Sequence, residues 1–203
     1  MAHTNTQVQE AIDQQYDGDQ AVNVGYTDII GNASSAKSLD GKQLTLTSYD
    51  YGLGGVSFAV EKMAIGNIAY FTYQSPHEMK LSTILEQHVH FTTKADETGK
   101  ALKFKLNAIA APVFGPFVSV ATDVEVEYVI ASHNGSSPGA GKHWLMEVAD
   151  TTAANTSVST IWKVRLERMT PAGTDLSDDL YVEFIDGHIQ IDQERGSREE
   201  YVK

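Results

Sequence analysis

Apolar and polar residues alternate along the chain from about residue 43 to its end. In the stretch 102–106, leucine and phenylalanine alternate with lysine, so one side of the segment is apolar and the other is charged. This period of two is typical of a β-strand with one buried face, and such strands suit antiparallel sheets. The pattern predicts nine strands, at residues 44–48, 56–62, 68–73, 85–92, 102–106, 124–130, 162–168, 181–185 and 188–192.

Turn-forming residues separate these segments. Asp and Gly recur at 38–41 and 96–99, and Gly and Pro recur at 134–141 and 170–175, as expected for tight connections. About nine short strands joined by such turns, with almost no helical periodicity, predict an all-β fold. We expect an antiparallel β-sandwich, jelly-roll-like in type, in a single domain that covers residues 25–203.

Residues 1–24 have a different pattern. Val8, Ile12 and Tyr16 lie at helical spacing and are followed by Asp-Gly-Asp. We therefore predict a short N-terminal helix or an extended arm that precedes the sandwich domain, and such an arm orders when a partner binds it.

Composition narrows the class of protein further. With 203 residues, of which 41% are hydrophobic, the chain suits one ordinary domain. Its apolar runs are too short to span a bilayer and its first residues lack the pattern of a signal peptide, so we expect no membrane association and no signal peptide. It has no cysteine, and its net charge of −12 argues against direct binding to nucleic acid.

Two histidines lie one residue apart in the predicted strand 85–92. Because the side chains of a strand alternate, Glu86, His88 and His90 share its polar side. Imidazoles at i and i+2 can hold a metal ion if a third ligand comes from elsewhere. The third ligand is left open: a symmetry copy on a threefold axis, or one of Glu86, His77, His133, His143 and His188.

The histidine pair has two further interpretations. The rings can hydrogen-bond at a subunit contact or on a polar sheet face, which is the commoner role and the one we favour. They can also serve as acid and base, although the chain lacks the Gly-x-Ser-x-Gly, P-loop, GxGxxG and His-Glu-x-x-His motifs. We expect no enzyme and no required cofactor, with a structural metal ion at His88 and His90 as the open alternative.

A His-x-His pair in a β-fold also suggests a cupin-like metalloprotein. The cupin pattern requires a glycine upstream of the pair and a glutamate four or five positions after it. Residues 80–87 contain no glycine, and the next acidic residues are Asp96 and Glu97. This interpretation is therefore a remote alternative.

Aromatic residues next to a glycine-rich loop can stack on sugar rings. Trp144 follows His143 and the loop at 134–141, so these two residues are the candidate glycan contacts. Trp162 lies in a regular strand, and we expect it in the core instead.

Two windows resemble structural proteins of tailed bacteriophages. Residues 76–91 have the form Pro-His-x-x-Lys-x-x-Thr-x-Leu-x-x-His-Val-His-Phe, and residues 196–203 match Gly-Ser-Arg-x-Glu-Tyr-x-Lys. The group also tends to carry a histidine one strand before the second window, here His188. The chain departs from the pattern at Phe91, where tryptophan is usual, and it lacks a tryptophan-rich strand after the pair.

The resemblance implies a non-enzymatic virion protein that is present in many copies and assembled in the host cytoplasm. Our leading hypothesis is a capsid decoration (cement) or head-fibre protein, a homotrimer that docks on the major capsid protein or other virion proteins through its N-terminal arm. Arg195, Arg198 and Tyr201 are candidate subunit or capsid contacts, the alternative being a solvated tail. The alternative function is a tail-associated receptor-binding module that holds glycans.

Overall fold

A computed structural model describes residues 24–32, 42–51, 54–77, 79–130, 141–151, 157 and 159–192. The described residues form strands and contain no helix, and none of them belongs to a helix with the length and hydropathy that a membrane crossing requires. The strands are β1 (Val24–Asn32), β2 (Thr45–Tyr49), β3 (Phe58–Met63), β4 (Ile68–Gln74), β5 (Leu85–Thr92), β6 (Ala101–Ala111), β7 (Val118–Val129), β8 (Trp144–Thr151), β9 (Ile161–Met169) and β10 (Leu180–Asp192).

The strands form two sheets in which neighbouring strands are antiparallel. The larger sheet has the order β2-β3-β10-β5-β8, and β1 also pairs with β10. Because β3 pairs with residues 180–182 and β1 with residues 184–192, the two strands follow one another along the same edge of β10. The smaller sheet has the order β4-β9-β6-β7. The predicted all-β, antiparallel, jelly-roll-like sandwich is confirmed.

The core lies between the inner faces of the two sheets. Alternate residues of each strand enter it, as the period of two requires. The largest buried side chain is that of Trp162, whose Nε1 donates a hydrogen bond to the Ser75 hydroxyl at 2.9 Å. The predicted core position of Trp162 is therefore confirmed. Other fully buried residues are Phe71, Leu85, Phe91, Leu102, Phe104, Leu106 and Leu166.

A buried arginine connects the two sheets. Arg168 on β9 is 2% exposed, and its Nη1 donates a hydrogen bond of 2.7 Å to the Met63 carbonyl on β3. Its Nη2 lies 3.1 Å from Asp175 Oδ1, and Asp179 approaches Nη1 at 3.8 Å. Charge is tolerated at this depth because a carbonyl and two carboxylates surround the guanidinium.

The strand predictions differ from the structure in two ways. First, β1 and β8 were not predicted. β1 contains Gly25 and Gly31, and a Cβ at Gly31 would lie 3.1 Å from Tyr73, so close packing favours glycine there despite its low strand propensity. In β8 a register shift opposite Gln87 and His88 interrupts the alternation, so the period of two is obscured in the sequence.

Second, the two predicted strands 181–185 and 188–192 are one continuous strand, β10. Asp186 and Gly187 resemble a turn in sequence. In the structure, Gly187 faces inward, where a Cβ would lie 2.5 Å from Leu85 Cδ1, and Asp186 faces outward into a group of histidines. The predicted N-terminal helix or arm lies outside the described residues, apart from residue 24.

Candidate functional site

The outer face of the larger sheet carries a group of ionisable side chains. In register across β5 and β10, His90 lies opposite Phe184, His88 opposite Asp186, and Glu86 opposite His188. His188 also lies opposite Asp28 on β1. Cross-strand partners share a face, so three strands bring together what we call the histidine cluster: Asp28, Glu86, His88, His90, Asp186 and His188.

Asp186 lies at the centre of the histidine cluster. It is 2% exposed, with Oδ1 3.3 Å from His88 Nδ1 and Oδ2 3.1 Å from His90 Nε2. Its Oδ2 also lies 3.6 Å from His188 Nε2. His88 Nδ1, His90 Nε2 and Asp186 Oδ1 are nevertheless buried without a well-oriented hydrogen bond. The charged groups of the cluster therefore contact one another as ion pairs, and several of their polar atoms have no well-oriented hydrogen bond.

The two histidines are buried although they lie on the outer face. His88 and His90 are 6% and 7% exposed. The Phe184 ring stacks on His90 with ring centroids 4.2 Å apart, and the His188 ring lies 4.3 Å from that of His88. The predicted direction of the pair, away from the core, is confirmed. Neighbouring rings cover these side chains, so little of either imidazole is accessible to a substrate.

A fourth imidazole extends the cluster towards solvent. His143 is exposed, and its Nε2 lies 2.6 Å from His90 Nδ1. One of these two nitrogens must carry the hydrogen and the other must accept it. The rings are also stacked, with centroids 4.9 Å apart. Of the histidines proposed from sequence, His143 and His188 therefore both adjoin the pair.

The environment shifts the pKa values of the central groups. The Asp186 carboxylate raises the pKa of His88 above its ordinary value, against the opposing effect of burial. Burial lowers the pKa of His90, and Asp186 only partly offsets this. Burial alone would raise the pKa of Asp186, but the imidazoles around it, His88 above all, hold that pKa below its usual range. Buried carboxylates beside cationic rings behave in this way.

Metal-ligand geometry occurs between strands. Among the described residues, the ligand atoms of Glu86, His88 and His188 lie within 4.8 Å of one another, as do those of Asp28, Asp186 and His188. Neither group contains His90, because Asp186 lies between His88 and His90. Of the pair His88 and His90, only His88 belongs to one of these groups, together with His188 from the adjacent strand, and metal binding stays a prediction.

A groove adjoins the cluster. It has a volume of about 220 Å³ and is lined by Tyr51, Thr92, Gly141, His143, Glu183 and Phe184. The Tyr51 hydroxyl donates a hydrogen bond of 2.6 Å to Glu183 Oε1. Ligand pockets commonly combine aromatic side chains with a few polar or charged groups, as this groove does.

The proposed glycan pair is divided between the two sides of the sheet. His143 lines the groove, whereas Trp144 packs against the hydrophobic core. The two residues are consecutive, so the extended backbone directs their side chains in opposite directions. The structure therefore associates His143 with Tyr51 and Phe184 and leaves Trp144 outside the groove.

A larger depression lies on the outer face of the smaller sheet. Its volume is about 540 Å³, and its lining includes Tyr70, Thr72, Asn107, Lys163 and Arg165. Arg165 Nη2 is paired with Glu167 at 2.9 Å, so the positive charge is partly neutralised. The depression is far from the histidine cluster because the two lie on opposite faces of the sandwich.

The hairpin between β6 and β7 exposes apolar side chains. Val113, Phe114, Phe117 and Val118 are 40%, 100%, 49% and 50% exposed, and we call these four residues the apolar hairpin tip. Phe114 has a φ of 62°, a left-handed conformation that is rare for a bulky residue. The backbone turns here through a hydrogen bond from the Gly115 N–H to the Pro112 carbonyl.

Several residues proposed from sequence lie outside the described residues. These are His133, the loop at 134–140, and the candidate contacts Arg195, Arg198 and Tyr201. Sequence patterns did not indicate Asp28, Asp186 or the apolar hairpin tip as functional residues. The Asp-x-His spacing of Asp186 and His188 mirrors His88 and His90 on the paired strand, and this repeated i, i+2 pattern could have indicated that the two strands meet.

No family model matches the chain, and no curated protein sequence is significantly similar to it. Solved structures with a similar arrangement include an isomalto-dextranase from Arthrobacter globiformis, with 11% identity and a TM-score of 0.38 over 80% of this chain and 23% of the enzyme. A carbohydrate-binding module that recognises mannan has 8% identity and a TM-score of 0.38, over 80% of this chain and 98% of the module.

A viral protein has a comparable similarity. The structure of infectious bursal disease virus, Gt strain, has 11% identity and a TM-score of 0.34, over 85% of this chain and 33% of the viral chain. This chain therefore spans about a quarter to a third of the dextranase and of the viral protein. Similarity at this level concerns the β-sandwich architecture and carries no information about function.

Proposed function

We propose that the protein is a non-enzymatic structural component of a bacteriophage virion, a capsid decoration or head-fibre protein that assembles as a homotrimer. The resemblance of residues 76–91 and 196–203 to tailed-phage structural proteins supports the virion role. The apolar hairpin tip supports assembly, and it is the structural observation on which this part of the proposal rests.

The apolar hairpin tip has the properties of an interface. Residues 108–118 contain no charged side chain, and interface centres are depleted in charge and rich in aromatic residues. Single exposed apolar residues are common, but a group that includes a completely exposed Phe114 is typical of a contact surface. Because copies with a net charge of −12 repel one another, we expect them to meet through uncharged surface such as this tip.

The histidine cluster supports a non-enzymatic role. Its central groups, His88, His90 and Asp186, are at most 7% exposed, and general acid–base catalysis requires a group within hydrogen-bond reach of the substrate. The chain also lacks common nucleophile, phosphate and zinc-protease motifs. Surfaces rather than a reaction pocket are therefore the expected means of function.

Replacing the two phenylalanines of the tip tests the assembly. We expect Phe114→Asn with Phe117→Ser to weaken self-association about 30- to 1,000-fold, because two aromatic anchors contribute roughly 2–4 kcal/mol together. Asn tolerates the left-handed conformation at position 114. Light scattering coupled to gel filtration should show a trimer for the wild type and monomers for the variant over a concentration series.

A matched control is Leu46→Ser, which removes another exposed apolar side chain, 67% exposed, from the opposite sheet. This variant should remain trimeric. Circular dichroism must be the same for all three proteins, so that loss of assembly is not loss of folding. A trimer that persists in the double variant, or a wild-type monomer at every concentration, would contradict the assembly role.

Location on the particle requires a separate experiment. Antibody labelling of purified virions in electron micrographs should decorate the head uniformly. Deletion of residues 1–24 should reduce the amount of protein retained on particles if the N-terminal segment docks it. Unlabelled virions would refute the virion role, and label confined to the tail would favour the second candidate.

The second candidate is a tail-associated glycan-binding module, and the groove lined by Tyr51, His143, Glu183 and Phe184 favours it. If a glycan-array screen identifies a ligand, we expect Tyr51→Ala to weaken its binding at least tenfold, because stacking on the ring would be lost. Tyr70→Ala, on the other sheet, should leave binding unchanged. An array without a reproducible ligand would eliminate this candidate.

A further inference from the structure

We propose that Glu86, His88 and His188 bind one divalent transition-metal ion of the zinc class in each chain. The site lies on the outer face of the larger sheet and goes beyond the virion role proposed above. Its ligands are two imidazole nitrogens and one carboxylate oxygen, whose closest atoms lie within 4.8 Å of one another. Such a set suits zinc and similar ions better than calcium or magnesium, which prefer oxygen ligands alone.

Strand pairing holds the three ligands in place. Glu86 and His88 are alternate residues of β5, and His188 on β10 lies directly opposite Glu86. A rigid sheet therefore presents all three side chains on one face, with spacing set by the strand register. No loop has to fold around the ion.

Each imidazole has a carboxylate against one of its nitrogens. Asp186 Oδ1 lies 3.3 Å from His88 Nδ1, and Asp28 Oδ1 lies 2.9 Å from His188 Nε2. Metal-binding histidines usually contact a carboxylate through the nitrogen that does not bind the metal, because this contact orients the ring. Asp186 and Asp28 are thus placed to orient the rings and leave the opposite nitrogen of each imidazole for the ion.

A second observation points to a ligand at this site. His88 and Asp186 are more than nine-tenths buried, and His88 Nδ1 and Asp186 Oδ1 contact each other as an ion pair at 3.3 Å without a well-oriented hydrogen bond. Buried polar atoms without a well-oriented hydrogen bond are uncommon in folded proteins, and a bound ion is one of the explanations for them. A bound cation would polarise the His88 ring and strengthen its contact with Asp186, which would satisfy both atoms.

The site has to contract slightly around an ion. Ligand atoms about 2.0–2.2 Å from a tetrahedral zinc are roughly 3.4 Å apart, which is up to 1.4 Å less than the present limit of 4.8 Å. The His188 side chain is 34% exposed and Glu86 is partly exposed, so both can rotate towards the fixed His88 ring. Their exposure also gives the ion a path from solvent.

The stoichiometry distinguishes this site from an ion on a symmetry axis. All three ligands belong to one chain, so each chain of a trimer would hold its own ion. A ring of histidines on a threefold axis, which the sequence left open, would instead hold one ion for every three chains.

Direct zinc binding tests the proposal. The full chain, without a polyhistidine tag, is stripped with EDTA, dialysed and titrated with zinc chloride by calorimetry, and the bound metal is measured by mass spectrometry. We expect one zinc per chain and a melting temperature that rises with zinc concentration, since the ion binds the folded state. Calcium at the same concentration should have no effect. Absence of zinc binding, or one zinc per three chains, would overturn the proposal.

Substitutions locate the ion. His188→Gln and Glu86→Gln should each weaken zinc binding at least about tenfold, while His77→Gln and His143→Gln should leave it unchanged. Circular dichroism in EDTA shows whether each variant is folded. Because there are two independent ligand variants, the test remains valid if one of them does not fold. Full zinc affinity in folded His188→Gln, or loss of affinity in folded His143→Gln, would show that the ion lies elsewhere.

Discussion

Trp162→Ala is expected to lower the free energy of unfolding by about 3–5 kcal/mol, as truncation of a large aromatic residue in a core does. The indole is completely buried and is the largest side chain of the core. It stacks on Tyr73, with ring centroids 6.1 Å apart, and its Nε1 donates a hydrogen bond to Ser75. Truncation would leave both a cavity and a buried hydroxyl without its donor. Urea denaturation measures the loss.

Trp162→Phe separates the two contributions. It keeps much of the packing but removes the hydrogen bond to Ser75, so its cost should lie between the wild type and the alanine variant. Ile161→Ala is the matched control, since Ile161 is the adjacent residue and 40% of it is exposed. A Trp162→Ala effect no larger than that of Ile161→Ala would show that the two sheets do not pack as described. All measurements need one protein concentration, because assembly contributes to apparent stability.

Arg168→Met is expected to lower the free energy of unfolding by about 2–4 kcal/mol. The substitution retains most of the side-chain volume but removes the hydrogen bond to the buried Met63 carbonyl and the cation beside Asp175 and Asp179. Loss of one partner from a fully buried ion pair costs more. Here the two carboxylates are 27% and 29% exposed, so water can solvate them after the cation is gone.

Arg165→Met is the control for Arg168→Met. Arg165 lies on the same strand, but on the outer face, with its side chain 31% exposed and paired with Glu167. Surface ion pairs contribute little, so this change should alter stability by no more than about 0.5–1 kcal/mol. Equal effects of the two substitutions would contradict the role of Arg168 as a connection between the sheets.

The functional proposals fail in different ways, so their tests can be interpreted separately. A monomeric protein that still binds zinc would contradict the homotrimer but support the metal site, because the three ligands come from one chain. A trimeric protein that does not bind zinc would contradict only the proposed metal site. Antibody labelling of the tail together with glycan binding would support the second candidate, whose proposed site is the groove lined by Tyr51 and Phe184.

The histidine pair shows which features of the site a sequence pattern can predict. Alternation in residues 85–92 correctly predicts that His88 and His90 point away from the core, since this follows from backbone geometry alone. The same alternation predicted a polar stripe on the surface of the sheet, whereas both imidazole rings are buried. Their burial results from Phe184, His143 and His188, which are distant in sequence and reach the pair only through strand pairing.

The sequence by itself determined the fold class and most strand positions, because the period of two depends on local geometry and on which face meets the core. Only the tertiary structure decided that β10 lies between β5 and β1. This pairing places Asp186 between two imidazoles and His188 beside Glu86. Register between strands depends on packing across the whole sheet, so a constellation built from three strands cannot be obtained from the pattern within any one of them.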